Sequence, residues 1–139
     1  MKDAAILYPV FALAAWTFLV LMRLAATRFK SELRPSDFVL GESERVPMKA
    51  RLANRNYQNL LELPVLFYVV CLLLYVGNGA SSPAVALAWA YVVLRMLHSL
   101  VHLSYNNVMH RFAFFALSNF CLVALWIAAA LSLGPASSI

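Results

Sequence analysis

Residues 51–76 read RLANRNYQNLLELPVLFYVVCLLLYV. The first part of this stretch is basic and polar, whereas its last 20 residues, 57–76, carry a single charged side chain, Glu62. About 20 mainly apolar residues are what an α-helix needs to cross the hydrocarbon core of a bilayer. Since no helix breaker lies between Pro47 and Tyr57, we predict a spanning helix that begins outside the membrane, with Pro47 in its first turn.

Three further apolar runs, at residues 4–26, 84–105 and 111–133, have similar length and character. The chain of 139 residues is 63% apolar and 12% charged, with a mean hydropathy of +0.77, against about 45–50% apolar and about 25% charged in soluble domains. This composition excludes a soluble fold. We predict one membrane domain over residues 1–139, an all-α integral membrane four-helix bundle with left-handed up-down topology, in which 27–56 is the long loop.

The basic residues flank the apolar spans instead of covering a soluble face. The net charge is +5, but a nucleic-acid site needs an exposed basic surface, so we predict no nucleic-acid partner. Loop 27–56 holds seven Lys and Arg, whereas residues 77–83 and the tail after Leu133 hold none. Loops rich in these residues stay in the cytoplasm. We therefore expect the long loop inside and both termini on the non-cytoplasmic side.

A first polar stripe runs along the second span. Arg51, Arg55, Asn59 and Glu62 are spaced four, four and three residues apart, which places them on one helical face. A basic collar with one structural glutamate is one interpretation, and a ligand site is the other. Pro64 has no N–H and removes a helical hydrogen bond, so we expect a kink beside Glu62.

A second polar stripe follows the third span, where Tyr91, Arg95, His98, His102 and Tyr105 repeat at four, three, four and three residues. Polar side chains on one face of a spanning helix face the bundle interior. A hydrogen-bond ladder between helices and a ligand-binding wall both fit this pattern. The histidine pair has no third ligand in the stripe, so we predict no metal site.

Arg111 begins the fourth apolar run. A cation beside the positive end of a helix dipole makes a local anion site, and a ligand thiol placed there would be held as its thiolate. The alternative is that Arg111 only anchors the span at the cytoplasmic surface.

These residues resemble a known family. The segment RNYQNLLE at residues 55–62, followed by Pro64 and an aromatic residue, and the segment RMLH at 95–98 are similar to the membrane-associated proteins in eicosanoid and glutathione metabolism (MAPEG). The resemblance covers nearly the whole chain. The short termini and simple loops are most similar to the bacterial branch, which implies a bacterial inner membrane protein.

The resemblance implies a homotrimer that binds glutathione between neighbouring subunits near the cytoplasmic side. Glu62 would hold the amino group of glutathione, and Arg55 and Arg95 would hold its carboxylates. Arg111 lies sixteen residues after Arg95, at the spacing of the arginine that activates the thiol in the prostaglandin synthase branch. The residues implied to bind glutathione are the polar side chains of the two stripes: Arg51, Arg55, Asn59, Glu62, Arg95, His98 and His102.

Some positions depart from the family pattern. Pro64 follows Glu62 by two residues, where three or four are usual. Leu63 stands where leukotriene synthase has a ligand-binding tyrosine, and His102 replaces a tyrosine. Either Arg23 or Arg28 matches the arginine at the end of the first span.

Three functions remain open from the sequence. The first is a glutathione-dependent transferase or peroxidase that acts on lipophilic electrophiles from the membrane, with glutathione as cosubstrate. The second is a non-catalytic lipid-binding or scaffold protein of the same fold. The third, an ion or proton carrier that uses Arg95, His98 and His102, is disfavoured because the chain lacks the inverted repeats of many transporters.

The predicted orientation can be tested by placing a cysteine at Ser36 in the long loop. Because seven Lys and Arg resist translocation of this loop, a membrane-impermeant thiol reagent should leave Ser36→Cys unlabelled on intact cells and label it after lysis. Labelling on intact cells that equals labelling after lysis would reverse the orientation.

Overall fold

The computed structural model describes residues 4–134, and its regular elements are all helical. The five α-helices are α1 (Leu7–Phe29), α2 (Met48–Leu61), α3 (Pro64–Val76), α4 (Ser82–Leu103) and α5 (Val108–Leu133). Short 3-10 turns at Ala4–Ile6 and Pro35–Phe38 precede α1 and lie in the first loop. Residues 4–134 contain no β-strand.

Four segments are long and apolar enough to cross a membrane: Ala4–Phe29, Met48–Val76, Ser82–Leu103 and Val108–Leu133. The predicted all-α fold with four spans is therefore confirmed. The segment Met48–Val76 has 29 residues, a helical length of about 43 Å, which exceeds the roughly 30 Å of the hydrocarbon core. The polar start of α2 therefore extends beyond the apolar layer.

The second span is interrupted, not merely kinked. Pro64 has no N–H to bond the carbonyl of Leu60, and Glu62 leaves the helical region with φ −87° and ψ −100°. Helix α3 restarts with Leu63 as its N-cap residue, and the Val65 N–H donates to the Glu62 carbonyl at 3.1 Å. The break thus releases backbone carbonyls at the end of α2 inside the bundle.

The last helix begins earlier than the apolar run indicates. Asn107 is the N-cap of α5, and its side-chain oxygen accepts from the N–H groups of Met109 and His110 at 3.0 and 3.1 Å. This cap extends α5 back to Val108, so Arg111 lies in the first turn instead of at the first residue. Helix α4 ends at Leu103, which leaves Tyr105 outside the helix that was expected to carry it.

Helix α4 is the central element of the bundle. It packs against α1 and α2 and most extensively against α5, and it has more buried residues than any other helix, among them Arg95, His98 and His102. Tyr91 of α4 stacks on Phe67 of α3 with ring centroids 4.6 Å apart. The second polar stripe therefore lies on the most enclosed helix.

A buried polar junction joins three helices. The Ser99 hydroxyl of α4 accepts from Asn56 Nδ2 of α2 at 2.7 Å and from Trp16 Nε1 of α1 at 2.9 Å. Both Asn56 and Ser99 are fully buried. One small side chain thus sets the mutual position of α1, α2 and α4 on the side of the bundle where the stripes lie.

Ser99→Ala should destabilise the protein by about 1–2 kcal/mol, because it leaves two buried donors without an acceptor. The matched control is Ser104→Ala, since the exposed Ser104 hydroxyl bonds only to the Leu100 carbonyl of its own chain segment. Thermal unfolding in detergent measures both variants. Equal melting temperatures for the two variants would contradict a structural role for the junction.

Candidate functional site

Polar side chains from three helices meet at one cleft of about 280 Å³. Its polar lining comes from Asn59 of α2, His98 of α4 and Arg111 of α5. Its apolar lining comes from Val108, Phe112 and Phe115 of α5. The cleft therefore brings together residues predicted from both stripes and from the start of the last span.

Arg95 is enclosed beside this cleft, with 1% of its surface exposed. Its Nη2 donates to the carbonyl oxygen of Asn59 at 2.6 Å. In an unbroken helix that carbonyl would accept from the N–H of Leu63, but the break at Glu62 removes this donor. The guanidinium of Arg95 thus caps the interrupted helix.

This cap uses only part of the guanidinium. The Nε and Nη1 groups of Arg95 are buried and have no hydrogen-bond partner among residues 4–134. The guanidinium carbon lies 5.5 Å from the ring centroid of Phe115 and 6.0 Å from that of Tyr91. Aromatic faces stabilise a cation, but they do not satisfy its N–H donors.

Glu62 does not neutralise Arg95 within one chain. Its side chain is exposed on the surface of the chain, and it forms no salt bridge among the described residues. The expectation that an intramembrane charge faces the bundle interior therefore holds for Arg95 but not for Glu62.

The two histidines of α4 differ in their contacts. Nδ1 of His98 lies 2.9 Å from the Arg111 carbonyl, and since a carbonyl only accepts, we assign the proton to Nδ1. Nε2 of His98 has no partner among residues 4–134, and neither ring nitrogen of the fully buried His102 has one. The stripe is therefore not a satisfied hydrogen-bond ladder within the described chain.

Arg111 is half-buried at the rim of the cleft. Its Nη1 donates to the side-chain oxygen of Asn106 at 2.8 Å. Asn106 has a φ of 50°, a left-handed conformation that asparagine adopts more readily than most residues. This turn residue holds the guanidinium in place, while the Nε group of Arg111 is buried without a partner among residues 4–134.

Arg51 and Arg55 lie apart from the cleft. They line a separate notch of about 90 Å³ with Met48 and Leu52, and Arg55 is exposed. The first stripe is therefore divided: Asn59 reaches the cleft, and the two arginines stay on the outer surface of α2.

Several expected positions are not at the cleft. Tyr105 leaves the second stripe, and its hydroxyl bonds to Nδ1 of His110 at 2.9 Å. Arg28 contacts Glu42 of the first loop at 3.4 Å, and Arg23 lines a different cleft between α1 and α4. No three His, Cys, Asp or Glu side chains of residues 4–134 are grouped to hold a metal ion.

Some residues that shape the site were missed from the sequence. Asn56 and Ser99 fix α2 against α4 through a bond between residues far apart in the chain, and no local pattern signals it. Asn106 accepts a hydrogen bond from Arg111, a role that its position between two apolar runs does not indicate. Phe115 belongs to an apolar run in which nothing distinguishes it from its neighbours.

The four apolar helices make this chain an integral membrane protein. The sequence model of the MAPEG family matches residues 6–131, so the chain belongs to the MAPEG family, as its resemblance implied. This family includes glutathione transferases and peroxidases and also non-catalytic members. Comparisons with curated proteins and with solved structures give no match.

Arg95→Met should melt at the same temperature as the unchanged protein or higher when no ligand is present. Desolvation of an unpaired cation costs several kcal/mol, more than the roughly 1.5–3 kcal/mol of its charged hydrogen bond to Asn59. Arg95→Lys keeps the charge with a less suitable donor geometry, so its melting temperature should be lower than that of the unchanged protein. A loss of more than about 3 kcal/mol for Arg95→Met, beyond the cost of the hydrogen bond to Asn59, would show that the cation already has an anionic partner.

Proposed function

We propose that this protein is a glutathione-dependent transferase or peroxidase that acts on lipophilic electrophiles in the membrane. The observation that supports it most is the buried Arg95 guanidinium, which keeps two free donors and has no anion among residues 4–134. A buried cation of this kind is stabilised by an anionic ligand with matching geometry. The glutathione-using members of the family supply the chemical class of that ligand.

The charges around the cleft suit a peptide with two carboxylates and one ammonium group. Arg95 would bind one carboxylate with its free Nε and Nη1 groups, and Arg55 would bind the other. Glu62 would pair with the ammonium group. The remaining contacts would come from Asn59 and His98 at the cleft, from the buried His102, and from Arg51 at the separate notch.

Arg111 is the residue we assign to the chemistry. Its guanidinium, held by Asn106 at the start of α5, would stabilise the thiolate of glutathione. In a transfer reaction the thiolate sulfur attacks an electrophilic carbon, a C–S bond forms, and the leaving group departs with the electron pair. In a peroxidase reaction the thiolate attacks the terminal oxygen of a hydroperoxide, an S–O bond forms as the O–O bond breaks, and the other oxygen leaves with the electron pair and takes up a proton to give an alcohol. A second glutathione then converts the sulfenic acid to disulfide and water.

The apolar wall of the cleft supports a lipophilic second substrate. Val108 and Phe112 are exposed and lie on the same cleft as Arg111. An apolar electrophile dissolved in the bilayer would approach the thiolate along this wall. Clefts with an apolar lining and a few polar groups are the usual form of small-molecule sites.

We further propose a homotrimer in the bacterial inner membrane, with the basic loop and the thiol entrance in the cytoplasm. The support is the exposure of Glu62 on the surface of a single chain. A charged side chain within a membrane costs at least about 2.5–3.5 kcal/mol at mid-bilayer. A neighbouring copy that covers Glu62 removes this cost and completes the site between subunits.

The mass of the purified protein in detergent, corrected for bound detergent, should therefore correspond to three chains of 15.5 kDa. The same mass measurement on Glu62→Gln, which removes the charge and keeps the shape of the side chain, tests the role of the Glu62 charge at the interface. A monomeric mass for the unchanged protein would contradict both the trimer and the intersubunit site.

Substitutions of Glu62 and of Arg111 should change different kinetic constants if the protein is an enzyme. Glu62→Gln removes a partner of bound glutathione in the ground state and the transition state alike, so it should mainly raise the KM for the thiol. Arg111→Ala should lower kcat by about 10²-fold, the scale of one preorganised charge at the reacting atom. Arg111→Ala should also raise the pKa of the bound thiol. This pKa is measured from the absorbance of the thiolate as a function of pH.

The thiol titration does not depend on the unknown electrophile. If glutathione bound to the unchanged protein shows no lowered thiol pKa, the catalytic role of Arg111 is wrong. Non-catalytic lipid binding then becomes the better function. One observation favours that alternative: Arg95 and His98 both bond to backbone carbonyls, contacts that also serve a purely structural role.

A further inference from the structure

The first loop has a fixed internal frame. The carboxylate of Asp37, only 7% exposed, accepts from the backbone N–H of Arg34 at 2.9 Å and from the Ser43 hydroxyl at 3.4 Å. The Ser43 N–H in turn donates to the Asp37 carbonyl at 3.0 Å. Val46, which follows this frame, is 2% exposed. The residues between Asp37 and Ser43 are therefore held in a defined position.

This frame lies beside the end of α1. Nη2 of Arg28, in the last turn of α1, contacts Glu42 at 3.4 Å, and its guanidinium carbon lies 5.0 Å from the centroid of the Phe38 ring. The two contacts enclose residues 39–41, which form the tip of the loop. Since α1 is a membrane-spanning helix that ends at Phe29, the loop tip lies next to the point where the chain leaves the bilayer.

The loop tip is apolar and uncovered. Val39 is 75% exposed and Leu40 is 101% exposed. Gly41 has a φ of +94°, which permits the sharp turn at this point, and a Cβ added there would meet no atom within 4 Å. Two adjacent aliphatic side chains thus project from a polar loop into open space.

In the segment of chain that contains the tip, residues 30–49, the unpaired charges are mostly positive. Two of the nearby carboxylates are already engaged, Asp37 within the frame and Glu42 with Arg28, and two exposed ones remain, Glu32 and Glu44. Four exposed cations form no salt bridge among residues 4–134: Lys30, Arg34, Arg45 and Lys49. Free positive charge therefore exceeds free negative charge over residues 30–49, which include the tip.

We propose that this loop is a membrane-surface anchor that binds anionic lipid. Val39 and Leu40 insert into the interfacial layer, and the surrounding cations bind lipid headgroups. Apolar insertion combined with basic residues is the chemistry by which proteins hold an anionic membrane surface. The inference is independent of glutathione, because it uses no residue of the cleft.

The insertion is tested by placing a thiol-reactive environment-sensitive fluorophore on Leu40→Cys. The protein is reconstituted in nanodiscs of phosphatidylcholine with phosphatidylglycerol. We expect quenching by lipids spin-labelled near the headgroup and protection from aqueous iodide. The control is Ser36→Cys, on the exposed 3-10 turn of the same loop, which iodide should quench. Labelling of the unchanged protein gives the background from Cys71 and Cys121.

Two outcomes overturn the insertion. If Leu40→Cys is as accessible to iodide as Ser36→Cys, the tip lies in water. If Leu40→Cys is protected from iodide but lipid does not quench it, another copy of the chain or a different protein covers the tip.

The lipid charge preference is tested with the double variant Arg34→Gln and Arg45→Gln. Retention of phosphatidylglycerol relative to phosphatidylcholine, measured by native mass spectrometry, should fall about fivefold for each charge removed. The backbone bond of Arg34 to Asp37 does not use its side chain, so the loop frame stays intact. The matched double variant Glu32→Gln and Glu44→Gln should retain at least as much anionic lipid. Equal retention by both double variants contradicts headgroup binding.

Discussion

Pro64 cannot donate a backbone hydrogen bond, and the structure around the cleft depends on how the chain accommodates this. The helix stops at Leu61, the carbonyl of Asn59 loses its helical donor, and Arg95 supplies a donor from α4 at 2.6 Å. The guanidinium of Arg95 thereby joins α2 to α4 and lies in the bundle interior. Because this contact uses only Nη2, two further donors of the cation remain free.

The rest of the bundle keeps that guanidinium in place. The Ser99 junction positions α1 and α2 against α4, and the extensive packing of α4 on α5 sets Phe115 beside the cation. In the turn before α5, Asn106 accepts a hydrogen bond from Arg111, which lines the adjacent cleft. Arg111 in the cleft and Arg95 beside it are therefore two cations that Glu62 does not neutralise within one chain, a setting that suits the anionic thiol peptide that we propose as ligand.

The fold could be predicted from the sequence because hydropathy alone determines which segments can cross a bilayer. The family resemblance, carried by residues 55–62 and 95–98, is likewise confirmed by the match over residues 6–131. Local details were harder to predict. The cap at Asn107 lets α5 begin earlier than the apolar run indicates, and Pro64 causes a complete break in the helix instead of a kink. The sidedness, the trimer and the glutathione contacts stay predictions.

Only part of the site could be inferred, because helical periodicity places residues on a face but does not say what that face contacts. The spacing grouped Arg51 and Arg55 with Asn59, yet only Asn59 lines the cleft. It also grouped Tyr105 with the histidines, although α4 ends before Tyr105. Long-range bonds such as that between Asn56 and Ser99 depend on how helices cross, which a single sequence does not encode locally.

The central claim is that the buried Arg95 cation is a receptor for a carboxylate of glutathione. Calorimetric titration of the purified protein with glutathione, in parallel with Arg95→Met, tests it most directly. We predict saturable binding to the unchanged protein and an affinity reduced by about 10-fold to 100-fold in Arg95→Met, the loss expected for charged hydrogen bonds. Absence of binding to the unchanged protein, or equal affinity for both proteins, would contradict the account.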